Sequence, residues 1–149
     1  MSVTTPTGFA AAGVAAGIKS GDRLDLAVVS NLGPRFAAAG VFTRNRVFAA
    51  PVDWSRRALA DGRLRAVVLN SGGANACTGR SGFEDARLMA EKTAAGLGVA
   101  AGDVAVCSTG LIGVRLPVPE VVSGIEQACS QLSRDGGDDA ATAIMTTDT

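Results

Sequence analysis

Two stretches built on one plan constrain this chain most. "LRAVVLN" (64–70) is a short apolar run, followed by the glycine loop "SGGANACTG" (71–79) and a helical pattern. "DVAVC" (103–107) repeats the arrangement, with "STGLIGVRLP" (108–117) as its loop and a second helical pattern behind it. A short apolar run suits a buried strand, and apolar residues recurring every three or four positions suit a helix. The first helix opens with Ser81 and Glu84 in capping-box spacing. Phe83, Ala86, Ala90, Thr93, Ala94 and Leu97 mark its apolar face, and Gly96 and Gly98 end it. The second helix covers 119–133, with Val122, Ile125, Cys129 and Leu132 on one face. After "RDGGDD", Asp138 or Asp139 caps a last short helix through "AATAIM".

The first sixty residues predict strands instead. "LDLAVVS" (24–30) sets Leu24, Leu26 and Val28 on one face and Ala27 and Val29 on the other. "NLGP" (31–34) is a turn signal, and "FAAAGVFTRN" (36–45) follows as a returning strand. "GFAAAGVAAGIK" is a further, weaker strand candidate, and Pro51 belongs at a strand edge or start. At 149 residues the chain is one domain's length, with no linker dividing it.

Both glycine loops are places where backbone N–H groups meet a ligand without side chains in the way. In "CSTGLIG" the Thr109 hydroxyl and the Gly110 amide are candidates to point at one oxygen, as an oxyanion hole does. Ser-Thr-Gly after a strand also makes a plain turn, and the glycines of "NSGGANACTG" also serve close strand–helix packing. Neither loop matches a P-loop or a dinucleotide fingerprint. Arg44 and Arg46 are either substrate-binding cations or a solvated strand end. Thr146, Thr147 and Asp148 either contact a polar ligand or form a helix C-terminal turn.

Composition narrows the chemistry. There are no histidines, so Ser-His-Asp and Cys-His catalysis cannot be assembled from these residues. Cys77, Cys107 and Cys129 form no CxxC pair, which argues against a disulfide framework and fits a reducing cytoplasm. A nucleophilic Cys77 or Cys107 would lack a His partner, so both are taken as buried small hydrophobes. No zinc-ligand spacing is present. Fourteen basic and fourteen acidic residues balance, without a basic stripe, so nucleic acid is not an expected partner. No apolar run is long enough for a membrane span, and the Ala-rich start lacks the basic flank of a signal peptide.

"LNSGGANACTG", "VCSTGLIG" and "AIMTTDT", in that order, resemble the N-terminal portion of the bifunctional ornithine acetyltransferases, or glutamate N-acetyltransferases, of arginine biosynthesis. "GFAAAGVAAGIK" and "AAAGVFTRNRV" resemble the start of the same family, so the likeness covers the whole chain. The resemblance implies an α/β fold, a layered sandwich with helices packed on β-sheets, of which residues 1–149 form an incomplete α-chain part. It implies a precursor that cleaves itself, and a β chain whose new N-terminal Thr is the nucleophile. Acetyl passes from N-acetylornithine to that Thr, ornithine leaves, and glutamate takes the acetyl group. Some members also accept acetyl-CoA as donor, as a substrate and not as a bound cofactor. On this pattern Thr109 and Gly110 are the oxyanion-hole pair and Thr147 binds substrate. The α and β chains would form a hetero-oligomer in the cytoplasm. The segment and cleavage site that follow "TTDT" in the family are not in this sequence, so the chain alone is expected to be inactive. The competing readings are a non-catalytic module binding small anions through its glycine loops, and a purely structural subunit.

Overall fold

The computed structural model describes residues 1–146. Its elements run β1 (Phe9–Val14), β2 (Leu26–Asn31), α1 (Ala50–Ala58), β3 (Ala66–Gly73), α2 (Gly79–Leu97), a 3₁₀ turn (Ala101–Asp103), β4 (Val104–Leu111), α3 (Val118–Ser130) and α4 (Gly137–Ala143). The four strands make one sheet in the order β1-β2-β3-β4. β1 and β3 each run antiparallel to β2, whereas β3 and β4 are parallel, from Ala66 opposite Val104 to Gly73 opposite Leu111. A parallel pair needs a long crossover, and α2 provides it. The fold is therefore α/β, with helices layered on a sheet.

Period-two alternation sorts the strands' side chains between two faces. Leu26, Val28, Val68, Val104 and Val106 point to the face covered by α2 and α3, where they meet Met89, Val121 and Ile125. Each such side chain contributes about 1.5–3 kcal/mol when fully buried. On the opposite face Ala11 and Ala27 meet Ala140 and Ala143 of α4. Gly96 lets α2 approach α3, because a Cβ there would lie 2.9 Å from Cys129 Cβ.

The strand–loop–helix units form as the sequence predicts, with shifted ends. α2 ends at Gly98, which takes the left-handed conformation, φ 65° and ψ 38°. It begins two residues before Ser81; Thr78 is its N-cap, and the Thr78 hydroxyl donates to Asn75 instead of capping the helix. Asp138 and Asp139 lie inside the first turn of α4, with Gly136 as N-cap. Both aspartates suit the positive end of the helix dipole there, without a capping bond.

Two strand expectations fail in the first sixty residues. Residues 36–45 form no strand beyond an isolated bridge between Ala37 and Arg63. Phe36 sits at φ 55°, with the Arg65 guanidinium stacked 4.0 Å from its ring centroid, so the chain leaves the extended path at its first residue. Pro51 starts a helix and not a strand. Its missing N–H falls where a helix has no partner for it, and Asp53 and Arg57 form an i,i+4 ion pair behind it.

Candidate functional site

β4 is the edge strand, so the peptide groups on its outer side need partners from elsewhere. α1 supplies them over the first half. Trp54 Nε1 donates to the Val104 carbonyl at 2.9 Å, and Ser55 Oγ donates to the Val106 carbonyl at 2.7 Å. The Val106 amide in turn donates to Ser55 Oγ at 2.9 Å. A strand's peptide groups alternate sides, so the next outward positions are 108 and 110. The Ala74 amide donating to the Leu111 carbonyl at 2.8 Å fixes the same alternation from the β3 side. The Gly110 amide is thereby turned away from β3, beyond the reach of α1.

The expected loop at Ser108–Gly110 is thus a strand end. Thr109 and Gly110 lie in β4, in register with Ser71 and Gly72, and α3 does not begin until Val118. The donors that a helix N-terminus would offer are therefore not at Thr109; the donor is an uncovered sheet edge. The glycine loop after "LRAVVLN" is shortened in the same way, because β3 runs to Gly73. At this end the two backbones are pressed together. Gly110 has φ 130°, and a Cβ on it would lie 2.4 Å from the Gly72 carbonyl carbon. Behind them the register partners Asn70 and Ser108 each bury a side-chain oxygen, Oδ1 and Oγ, with no partner among the described residues.

Thr109 and Gly110 are exposed and open on a cleft of about 400 Å³, lined also by Lys19, Gly72, Leu111 and Thr146. Lys19 arrives from the turn after β1. That turn is held by Asp25, fully buried, whose carboxylate accepts the amides of Ala16, Ile18 and Lys19 at 2.7, 2.7 and 2.8 Å. The Lys19 ammonium donates to the Met145 carbonyl at 2.9 Å, so it ties this turn to the chain leaving α4. Thr146 is in the cleft wall; Thr147 and Asp148 lie outside the described residues.

The remaining candidates do not join this cleft. Arg46 lines a second open hollow of about 350 Å³ with Phe48, Asp53, Cys77, Thr78 and Phe83, while Arg44 is exposed outside both. Cys77 and Cys107 are both exposed and not buried as expected. Desolvation pushes the Cys107 and Cys129 thiols up, the reverse of what a reactive thiolate needs. Sequence reasoning missed Lys19, Asp25 and Ser55. An aspartate inside the apolar run "LDLAVVS" is the one local signal, because a carboxylate in a strand that is buried on both sides must be satisfied by something.

The fold is an α/β sheet whose strand β4 is capped by α1 over its first half and then opens, between two glycine backbones, onto a cleft with one cation among the described residues. The chain belongs to the ArgJ family, whose model matches residues 10–149. It is 63% identical over its whole length to the arginine biosynthesis bifunctional protein ArgJ of Thermobifida fusca, and 62% identical to that of Streptomyces coelicolor. The chain spans 39% of the length of each of these relatives. Its fold matches a crystal structure of Mycobacterium tuberculosis ornithine acetyltransferase complexed with ornithine. That match has a TM-score of 0.98 at 57% identity and covers 99% of this chain and 80% of the other. The Bacillus halodurans ArgJ structure matches with a TM-score of 0.92 at 38% identity, covering 100% of this chain and 78% of that one.

Proposed function

We propose that this chain is the N-terminal, α-chain portion of an acetyltransferase that moves acetyl from N-acetylornithine to glutamate through an acetyl-threonine intermediate. The observation that supports it best is the position of Gly110, its amide on the uncovered edge of β4 beside the exposed Thr109, both on one cleft. The nucleophilic Thr belongs to the part of the relatives' length that this chain does not span, and arrives on a β chain after self-cleavage of a precursor. Its hydroxyl attacks the acetyl carbonyl while its α-amine takes the proton. The carbonyl oxygen becomes an oxyanion, which accepts hydrogen bonds from the Gly110 amide and the Thr109 hydroxyl. Collapse of that intermediate expels the ornithine amine, which takes the proton, and leaves acetyl on the Thr. The glutamate amine then attacks the ester by the reverse route.

This chemistry needs no histidine and no bound cofactor; acetyl-CoA, where used, enters as a donor substrate. Thr147 is a substrate-binding residue. The complete enzyme is an α/β hetero-oligomer of the cytoplasm, and residues 1–149 alone form no N-acetylglutamate.

Thr109→Ala in the full-length enzyme is expected to lower kcat by about 10²-fold or more, the loss that follows removal of one oxyanion donor. Steady-state transfer from N-acetylornithine to glutamate measures it. An unchanged kcat would remove Thr109 from the mechanism.

A further inference from the structure

We propose that Lys19 is the cation that binds the α-carboxylate shared by the donor and acceptor amino acids. This assignment rests on the acetyl-transfer reading above. Among the described residues that line the Thr109–Gly110 cleft, Lys19 carries the only charge. Its stem crosses Gly72: a Cβ on Gly72 would lie 3.1 Å from Lys19 Cγ and 2.9 Å from Ile18 Cγ2. Gly72 is the register partner of Gly110, so the lysine reaches over the strand beside the proposed oxyanion donor. Two glycines in succession across the ladder leave room for that path and for a ligand under it.

The turn carrying Lys19 is built to hold its position. Three amides in four residues converge on one buried carboxylate, which fixes the backbone at 16–19. None of the ion pairs among the described residues uses Lys19. Among the described residues its polar contact is the neutral Met145 carbonyl, and an ammonium has three donors. A half-buried cation that faces a cleft and has no counter-ion among the described residues suits an anionic ligand. Both amino acids of a ping-pong reaction occupy the same subsite in turn, and the α-carboxylate is the anionic group they share at the same distance from the reacting nitrogen. A single lysine therefore serves both half-reactions.

The test uses the full-length enzyme. Lys19→Met is expected to raise KM for N-acetylornithine and for glutamate together, each by about tenfold or more, with a smaller change in kcat. Lys19→Arg, which keeps the charge, recovers part of both losses. If both KM values stay within about twofold of wild type, or if only kcat falls, the assignment is wrong. A readout on the wild-type enzyme avoids any folding defect of the variants. N-acetylglutamate should protect Lys19 from acetylation by an N-hydroxysuccinimide ester, scored by peptide mass spectrometry, whereas its α-carboxamide should not. Equal protection by both compounds, or by neither, overturns the assignment. Absence of acetyl transfer by the wild-type enzyme would instead sink the functional reading, while the protection experiment needs no turnover.

Discussion

Ser55 stands where the backbone of a fifth strand would be. One hydroxyl both donates to the Val106 carbonyl and accepts from the Val106 amide, and Ser55 is only 3% exposed. Removing the hydroxyl strands two buried peptide groups at once. Ser55→Ala is therefore expected to destabilise the protein by about 2–4 kcal/mol, the cost of two unsatisfied buried groups. Urea unfolding measures the loss as a lower midpoint with an unchanged m-value. Asp85 and Arg115 show the same economy of partners. Arg115 donates through Nε and Nη2 to both oxygens of the nearly buried Asp85, at 3.0 and 2.5 Å, and so fastens the loop after β4 to α2. That bidentate bond, and the carboxylate's charge, raise the Arg115 pKa above its usual value, so the pair keeps its charge on the arginine side throughout the working pH range.

At the scale of elements, α3 is positioned as much by what it lacks as by what it packs. Gly124 faces the turn that carries Lys19, and a Cβ there would lie 2.4 Å from Ala16 Cβ. Gly124→Val should push α3 off this turn and cost about 1–3 kcal/mol, as overpacking does. Thermal unfolding would show it, and a midpoint equal to wild type would mean the turn yields freely. Much of this level was legible from sequence. The 3.6-residue spacing marked α2 and α3, and the glycine at 98 marked the end of α2, because periodicity and a left-handed cap are local properties. α1 was not, because Pro51 is compatible with a strand edge and with the first turn of a helix alike; only the Asp53–Arg57 spacing tips the balance. The end of β4 was misplaced for a different reason. Thr109 and Gly110 continue the strand only because Ser71 and Gly72 lie opposite them, and a ladder partner nearly forty residues away leaves no mark in the local pattern. Thr109 and Gly110 were thus legible as candidates, while the element that presents them, and the lysine beside them, depend on tertiary pairing.

At the scale of the whole molecule the two faces of the sheet are unequally finished. α2 and α3 close one face; on the other, α4 covers the β1–β2 side, and Ala58 and Leu59 pack over Ala105 and Val67, leaving Val67 and Leu69 half-buried and Cys107 exposed. Leu111, Ile112 and Val114 continue this apolar surface past the cleft, at 67%, 67% and 59% exposure. A contiguous apolar patch of this kind marks an interaction surface. On the proposed function its occupant is the length of chain that the relatives have and that this one, at 39% of them, does not span. On the proposed function, a segment packed against the exposed Leu111 would bring a nucleophile to Gly110, because Leu111 also lines the cleft. Residues 1–149 in isolation should therefore bind the apolar dye ANS strongly and unfold at a lower urea midpoint than the same residues within the full-length protein, where the dye signal falls. Weak dye binding by the isolated chain, with an unfolding midpoint equal to that of the full-length protein, would show that the face is a finished surface.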